Sequence, residues 1–412
     1  MPEASPERLA ARLSALPGVP RVVASGNGAF PGTLMSVVDA SLPAYRLFVL
    51  NAGPGVPDRP GVVHETCFVG PGVRRSPSLR YVPARLSLVP RLFATTLPPD
   101  VVCLNVSPAY DGMHSMGAEV NILPAAVAAC RARGGTVVAQ VNRHMPWTYG
   151  DGLLSPDDID VLIEADEPLA TPHHTVPDDA ARRIGELVAA RVGDGATLQL
   201  GIGLVPDATL PGLAGRRGLV VWSEMFSDGV LTLDQAGALD DTALVTASFM
   251  LGSDALHAWV HRNPRVQVLR TEQTNDPRAI AANHSMTSIN TALQVDLFGQ
   301  ANASRVTGRI HSGFGGQTDF VVGALHSSGG QALMALRSWH PKANASSIVA
   351  MVDEPVTSFQ HTAVVTEQGV AEMFGHDERS QAAHLIDQAA HPRVREELWE
   401  EAAAMGLADT QR

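Results

Sequence analysis

An α/β fold in two domains, with mostly parallel open sheets covered on both faces, is what the 412-residue chain predicts. Two observations carry it: short β-branched runs that are continuously apolar, and alanine-rich helical stretches between them. Strands apolar on both faces belong in a sheet covered on both sides, and the intervening helices supply the crossovers that parallel strands need. The length exceeds what one core ordinarily holds, and a 45% hydrophobic content is enough to fill two.

In the first half, RLFVL (46–50), VVCLNV (101–106), TVVAQV (136–141) and DVLIEA (160–165) read as buried strands. At 164–179, EADEPLATPHHTVPDD replaces the periodic pattern with prolines, histidines and acids. That break sets the expected boundary between a domain over 1–175 and one over 176–412. Asp178 or Asp179 then caps a helix whose Ile184, Leu187, Val188 and Val192 recur at helical spacing, and Gly193 and Gly195 end it. ATLQL, GLVVW, ALVTASF, QALMAL and SIVAMV continue the strand style through the second half. The tail from His391 reads as an amphipathic helix with a solvated charged face and a frayed end.

Charge and composition exclude several function classes. The net charge of −12 is spread along the chain, and no cluster of lysine or arginine is present to grip a phosphate backbone, so no nucleic-acid partner is expected. Lys342 is the single lysine, which we read as compositional. Cys67, Cys103 and Cys130 are odd in number, far apart and set in apolar surroundings, which fits a reducing cytoplasm better than a disulfide framework or a zinc site. The N-terminus lacks a long apolar stretch, and no run of 18 uninterrupted apolar residues occurs, so a soluble cytoplasmic protein without a membrane partner is expected. Among 15 histidines, the adjacent His173 and His174 fall in the expected linker, and neither HExxH nor a Cys/His zinc spacing appears; no metal is expected. The absence of a G-x-S-x-G elbow argues against a serine hydrolase.

Chemistry concentrates in a few segments. In VWSEMFSDGV (221–230) an apolar strand runs into Ser223 and Glu224 before turning at Ser227, Asp228 and Gly229. Two readings of Glu224 are open, a strand-end acid that caps a helix or pairs with an arginine, and a reactive carboxylate. Gly201, Ile202, Gly203, Leu204 and Val205 follow ATLQL and precede a helix start near Asp207. That turn is either an ordinary strand-to-helix connection or a place where an anionic group meets backbone N–H donors, and it is not the GxGxxG fingerprint. Adjacent strands of an open parallel sheet deliver their C-terminal ends to one crevice, so Glu224 and the glycine turn can share a site. Ser312–Phe320, with Gly313, Gly315 and Gly316, and HSSGG at 326–330 are further glycine-rich turns, each readable as a ligand wrap or a surface loop. INTALQVDLFGQANAS (289–304) and VVTEQGVAE (364–372) place polar residues inside strand-like runs, as cleft walls do.

Taken together, LQLGIGLVPDA, SEMFSDGVL, EQTNDPRAIA, INTALQVDLFGQANA, SGFGGQTDF, DEPVTSFQHT and VVTEQGVAE resemble the acetyl-CoA hydrolases and class I CoA-transferases, especially the 4-hydroxybutyrate and acetate CoA-transferase branch. FVGPGVRR, YVPARLS, NVSPAYDGMHSMG and AQVNRHMPWTYGDG extend the resemblance over nearly the whole chain. It implies two tandem α/β/α domains with mostly parallel open sheets, and transfer of CoA between an acyl-CoA and a carboxylic acid, with Glu224 as the nucleophile that forms an acyl-glutamyl anhydride and then a glutamyl-CoA thioester. It further implies that backbone N–H groups of Gly201, Ile202, Gly203, Leu204, Val205, Gly315 and Gly316 contact CoA or the oxyanion. No tightly bound cofactor is implied, and a homodimer or larger homo-oligomer is expected. Many members read ALEVD where this chain reads Ala292-Leu293-Gln294-Val295-Asp296. Gln294 is then implied to line the substrate site, hydrogen-bonding a carboxylate without adding like charge. Phe314, with Trp147, Met225 and Phe226, either shapes an acyl pocket or fills a core. An acyl-CoA hydrolase and a non-catalytic acyl-CoA-binding relative are the alternative functions.

Overall fold

A computed structural model describes residues 5–171, 176–201, 203–358 and 360–409; Ile202, His173 and His174 lie outside the described residues. The chain is mixed α/β with mostly parallel sheets and divides into two compact units. One comprises Met1–Pro172, Leu244–Asn275 and His311–Gly315; the other comprises His173–Ala243, Asp276–Ile310 and Gly316–Arg412. The units are therefore threaded through each other in sequence, whereas the expected division at 175 is a single cut. ALVTASF, read with the second half, contributes its strand Val245–Ala247 to the first unit.

In the first unit seven strands pair in parallel in the order Val161–Ala165, Thr136–Asn142, Val101–Val106, Arg21–Ala24, Tyr45–Phe48, Val62–Thr66 and Leu79–Tyr81. The chain begins in the middle at Arg21–Ala24, winds to one edge, and returns to wind to the other, as a doubly wound sheet does. Val101–Val106 is buried along its whole length, the expected signature of a strand covered on both faces. The buried Arg21 guanidinium forks onto Glu65, with Nε 2.6 Å from Oε2. The Cys67, Cys103 and Cys130 thiols are free and buried; burial pushes Cys67 and Cys130 up to about 12, and raises Cys103 as well.

The sheet strands of the second unit run Val220–Trp222, Thr197–Gln199, Thr287–Asn290, Gln331–Ala335, Ala363–Thr366 and Gly369–Glu372, parallel except for the last pair. SIVAMV yields only Ile348–Val349, which pairs with Gln294–Asp296 in a small side sheet. The helix Gln317–His326 covers the sheet with Phe320, Val321 and Ala324, and the C-terminal helix Arg395–Ala404 adds Leu398 and Ala402 to the same core. The helix Asp179–Ala190 starts where the capping residues predict: the Asp178 carboxylate accepts the Ala181 N–H at 3.1 Å and is forked by Arg337. Among the described residues no helix is long and apolar enough to cross a membrane.

The turn HSSGG has a structural role. It joins the helix Gln317–His326 to the start of the strand Gln331–Ala335, so it lies at the N-terminal edge of the parallel strands. Ser327 Oγ donates to the Asn283 carbonyl and accepts the Met286 N–H, and a Cβ on Gly330 would sit 2.1 Å from the Ala324 carbonyl oxygen.

Two outcomes are expected. At Gly185 the helix Asp179–Ala190 meets the helix Leu204–Leu213 so closely that a Cβ would lie 2.2 Å from the Ala208 carbonyl oxygen. Gly185→Ala should therefore lower stability by about 1–3 kcal/mol, read as a reduced urea midpoint at unchanged slope. His361 is buried, which lowers its pKa to about 4 although the Gly299 backbone pulls the other way. The unfolded chain binds that proton more readily, so stability falls as pH drops from about 6.5 through about 4. Replacing His361 with Leu should remove roughly 3 kcal/mol of that pH dependence, measured by urea unfolding across the same range.

Candidate functional site

The parallel register of the second unit sets Thr197 opposite Val220 and Leu198 opposite Val221. Continuing it two residues brings Leu200 beside Ser223. There the bonding changes: the Leu200 N–H donates to Ser223 Oγ at 3.3 Å, and the same hydroxyl donates back to the Leu200 carbonyl at 3.1 Å. Ser223 is fully buried. Glu224, the next residue, is half-buried, so its backbone is anchored one residue from where the glycine turn begins.

Beyond Leu200 the chain passes through Gly201 to Gly203 and enters the helix Leu204–Leu213, which starts ahead of the expected Asp207. Gly203 has φ +115° and ψ −173°, a backbone region closed to side chains with a Cβ. Its carbonyl accepts the Asp207 N–H at 3.0 Å, the first bond of the helix. The Leu204 and Val205 N–H groups belong to the first turn, where no intrahelical acceptor exists, so the positive end of the helix dipole faces the strand ends. A small, shallow hollow opens here, lined by Leu200, Gly201, Pro206, Asp207, Leu210, Ser227, Gly229 and Val230.

On the other side of Thr197–Gln199, the strand Thr287–Asn290 ends in a polar cluster, of which the sequence named Asn290 within a cleft-wall run but not Gln199 or Ser288. Gln199 Oε1 accepts from Ser288 Oγ at 2.8 Å and from Asn290 Nδ2 at 3.1 Å, and Asn290 Nδ2 also donates to Ser288 Oγ at 2.7 Å. Just beyond, Gln317 Nε2 donates to the Thr291 carbonyl at 3.3 Å, tying the start of the helix Gln317–His326 to the same edge. Gly316 is the cap of that helix, and its carbonyl accepts the Phe320 N–H. Gln294, half-buried, opens the strand Gln294–Asp296 three residues past Thr291.

Of the residues singled out from sequence, the second unit therefore gathers Gly201, Gly203, Leu204, Val205 and Glu224 at adjoining strand ends. Gly316 and Gln294 follow the neighbouring strand. Phe314 and Gly315 belong to the first unit: Phe314 packs edge-on against Tyr81 at 6.4 Å between ring centroids, and the Gly315 carbonyl accepts the Leu86 N–H. Gly315 holds a positive φ of 55°, the reason for glycine there. Met225 and Phe226 are buried core residues, and Trp147 is buried with its indole N–H on the Met113 carbonyl. The missed residues carry a readable signal. Gln199 is a polar side chain at the last position of its short strand, and Ser288 lies inside the next one.

With this geometry in place, comparison with known proteins is specific. A model of the acetyl-CoA hydrolase/transferase C-terminal domain matches residues 252–402. The chain is 37% identical over 353 residues to the 4-hydroxybutyrate coenzyme A transferase of Clostridium kluyveri, covering 82% of this chain and 81% of that protein. The solved structure of 4-hydroxybutyrate CoA-transferase from Porphyromonas gingivalis is similar at TM-score 0.81 and 31% identity, covering 98% of this chain and 97% of that one. RipA from Yersinia pestis is similar at TM-score 0.91 and 26% identity, covering 99% and 98%.

Gly203→Ala should destabilise the turn by about 1–3 kcal/mol, because alanine is strained at that φ. Gly215→Ala, at an exposed glycine whose Cβ would meet no atom within 4 Å, is the control and should leave the melting temperature unchanged or slightly raised. Paired thermal unfolding curves read the difference.

Proposed function

Since the chain belongs to the acetyl-CoA hydrolase/transferase family, we propose that it transfers CoA between an acyl-CoA and a carboxylic acid, with Glu224 as the covalent nucleophile. Family membership makes the protein an enzyme acting on acyl-CoA. The observation that carries the finer reading is the seating of Glu224 directly after Ser223, whose hydroxyl holds Leu200 at the entrance to the Gly201–Gly203 turn.

In the proposed cycle the Glu224 carboxylate attacks the thioester carbonyl, the C–S bond breaks, and an acyl-glutamyl anhydride forms with CoA thiolate as leaving group. The thiolate then attacks the glutamyl carbonyl, releasing the acyl group as its carboxylate and leaving glutamyl-CoA thioester. An incoming carboxylate attacks that thioester and runs the sequence backwards to a new acyl-CoA. A carboxylate suits this cycle because it is activated as an anhydride and regenerated intact, so thioester energy is conserved without ATP. Glutamine at 224 would offer neither the nucleophilic oxygen nor the leaving group.

Negative charge develops on the carbonyl oxygen at each attack. N–H groups of the turn and of the first turn of Leu204–Leu213 are the proposed donors, and one well-aimed donor contributes on the order of 3 kcal/mol. Gly315 and Gly316 are proposed as further contacts for CoA, and Phe314 and Gln294 for the acyl group. At 294 an amide leaves the site free of a second negative charge, which favours binding of a carboxylate acceptor. The proposed compartment is the reducing cytoplasm, which the three free, buried thiols support.

Hydrolysis is the second reading, favoured by the other activity in the family's name; water would then resolve the covalent intermediate in place of an acid. Release of CoA from an acyl-CoA at the same rate with and without added carboxylic acid would establish it.

Glu224→Ala should lose at least about 10³-fold in transferase turnover while its melting temperature stays within about 2 °C of wild type. In the wild type, acyl-CoA followed by borohydride should modify Glu224. A variant retaining full activity, or a wild type that never acquires the adduct, removes the covalent mechanism.

A further inference from the structure

We infer that Ser223 is a positioning residue for the first chemical step, fixing the nucleophile's backbone against the glycine turn; the inference rests on the reading of Glu224 as the nucleophile. In a regular parallel ladder, the N–H and carbonyl of Leu200 would find backbone partners on the neighbouring strand. Here one side-chain oxygen serves both, accepting from the N–H at 3.3 Å and donating to the carbonyl at 3.1 Å. Only a hydroxyl on a short side chain combines those roles at one atom.

The consequence is geometric. Leu200 is buried, so its two backbone groups have no water to turn to if the hydroxyl is removed. Leu200 and Ser223 are each one residue from the groups that matter, Gly201 on one strand and Glu224 on the other. The clasp therefore couples the two strand ends where backbone pairing stops and the chains diverge, one into the helix Leu204–Leu213 and the other into Met225–Phe226. A carboxylate that must reach a carbonyl carbon at near-attack distance is sensitive to shifts of this kind, and a displacement of about 1 Å can cost about 10²-fold in rate. Ser223 is fully buried and packed, so its hydroxyl is held there and does not sample alternative partners in solvent.

A merely structural clasp would show in stability alone. A positioning role shows in the rate of covalent adduct formation at unchanged CoA affinity. The test uses the full chain as wild type, Ser223→Ala and Ser223→Cys, with acetyl-CoA and 4-hydroxybutyryl-CoA in separate reactions. Three quantities are read: the rate at which borohydride-trapped Glu224 accumulates, the affinity for CoA, and the melting temperature. In Ser223→Ala, adduct formation should slow by at least about tenfold with CoA affinity within about twofold. Ser223→Cys should be slowed less. A thiol of similar volume is a weak donor and acceptor that prefers longer contacts than the two made here, so it replaces the hydroxyl only in part.

Adduct formation at the wild-type rate in either folded variant overturns the inference, as does a loss confined to CoA affinity. Should Ser223→Ala fail to fold, Ser223→Cys decides by the same criterion. Failure of the wild type to form any Glu224 adduct is a different result, which overturns the nucleophile reading itself and the inference with it.

Discussion

Parallel pairing constrains every strand to finish at the same edge as its neighbours, and the second unit depends on that constraint. Thr197–Gln199 lies between Val220–Trp222 and Thr287–Asn290, all three pointing the same way. Whatever follows them in sequence must emerge side by side: Glu224 after one, the Gly201–Gly203 turn after the next, Asn290 and Thr291 after the third. Neighbouring strands are about 4.8 Å apart, so groups more than sixty residues distant in the chain meet within a few strand spacings. The helix that follows the glycine turn starts at that edge, so its positive end lies there.

Close packing backs this edge. Helices Asp179–Ala190 and Leu204–Leu213 touch backbone to backbone at Gly185, which leaves no slack for the second helix to slide and carry the turn with it. Polar groups at the strand ends are satisfied by one another: Gln199, Ser288 and Asn290 form one closed cluster, and Ser223 and Leu200 form another. Half-satisfied clusters of this kind would be costly in a dry interior, whereas fully bonded ones specify a single arrangement.

Much of this was legible in the sequence, and the boundaries of legibility have physical causes. VVCLNV and TVVAQV form strands because short β-branched apolar runs suit a doubly covered sheet, and the pair Asp178 and Asp179 announced the next helix, with Asp178 the residue that caps it. A glutamate and paired glycines at the ends of apolar runs drew attention to the candidate site. Family resemblance supplied their expected roles. What could not be read is what depends on pairing between distant strands. Ser223 looks like any serine until its register against Leu200 is known, and Gln199, Ser288 and Asn290 meet only once their strands are adjacent. Composition also says nothing about which edge of a sheet a turn occupies. HSSGG and GFGGQ are both rich in glycine, yet the first closes a helix-to-strand connection at the opposite edge from the candidate site. The crossing of 244–275 into the first unit follows from contacts that no local pattern encodes.

The buried thiols have a bearing on durability. An enzyme whose proposed cycle liberates CoA as a free thiolate exposes its own cysteines to mixed-disulfide formation whenever an oxidant is present. Cys67, Cys103 and Cys130 are buried, and that burial raises their pKa well above the ordinary thiol value. They offer neither the access nor the anionic sulfur that exchange demands, so the chain resists S-thiolation by the very molecule it handles.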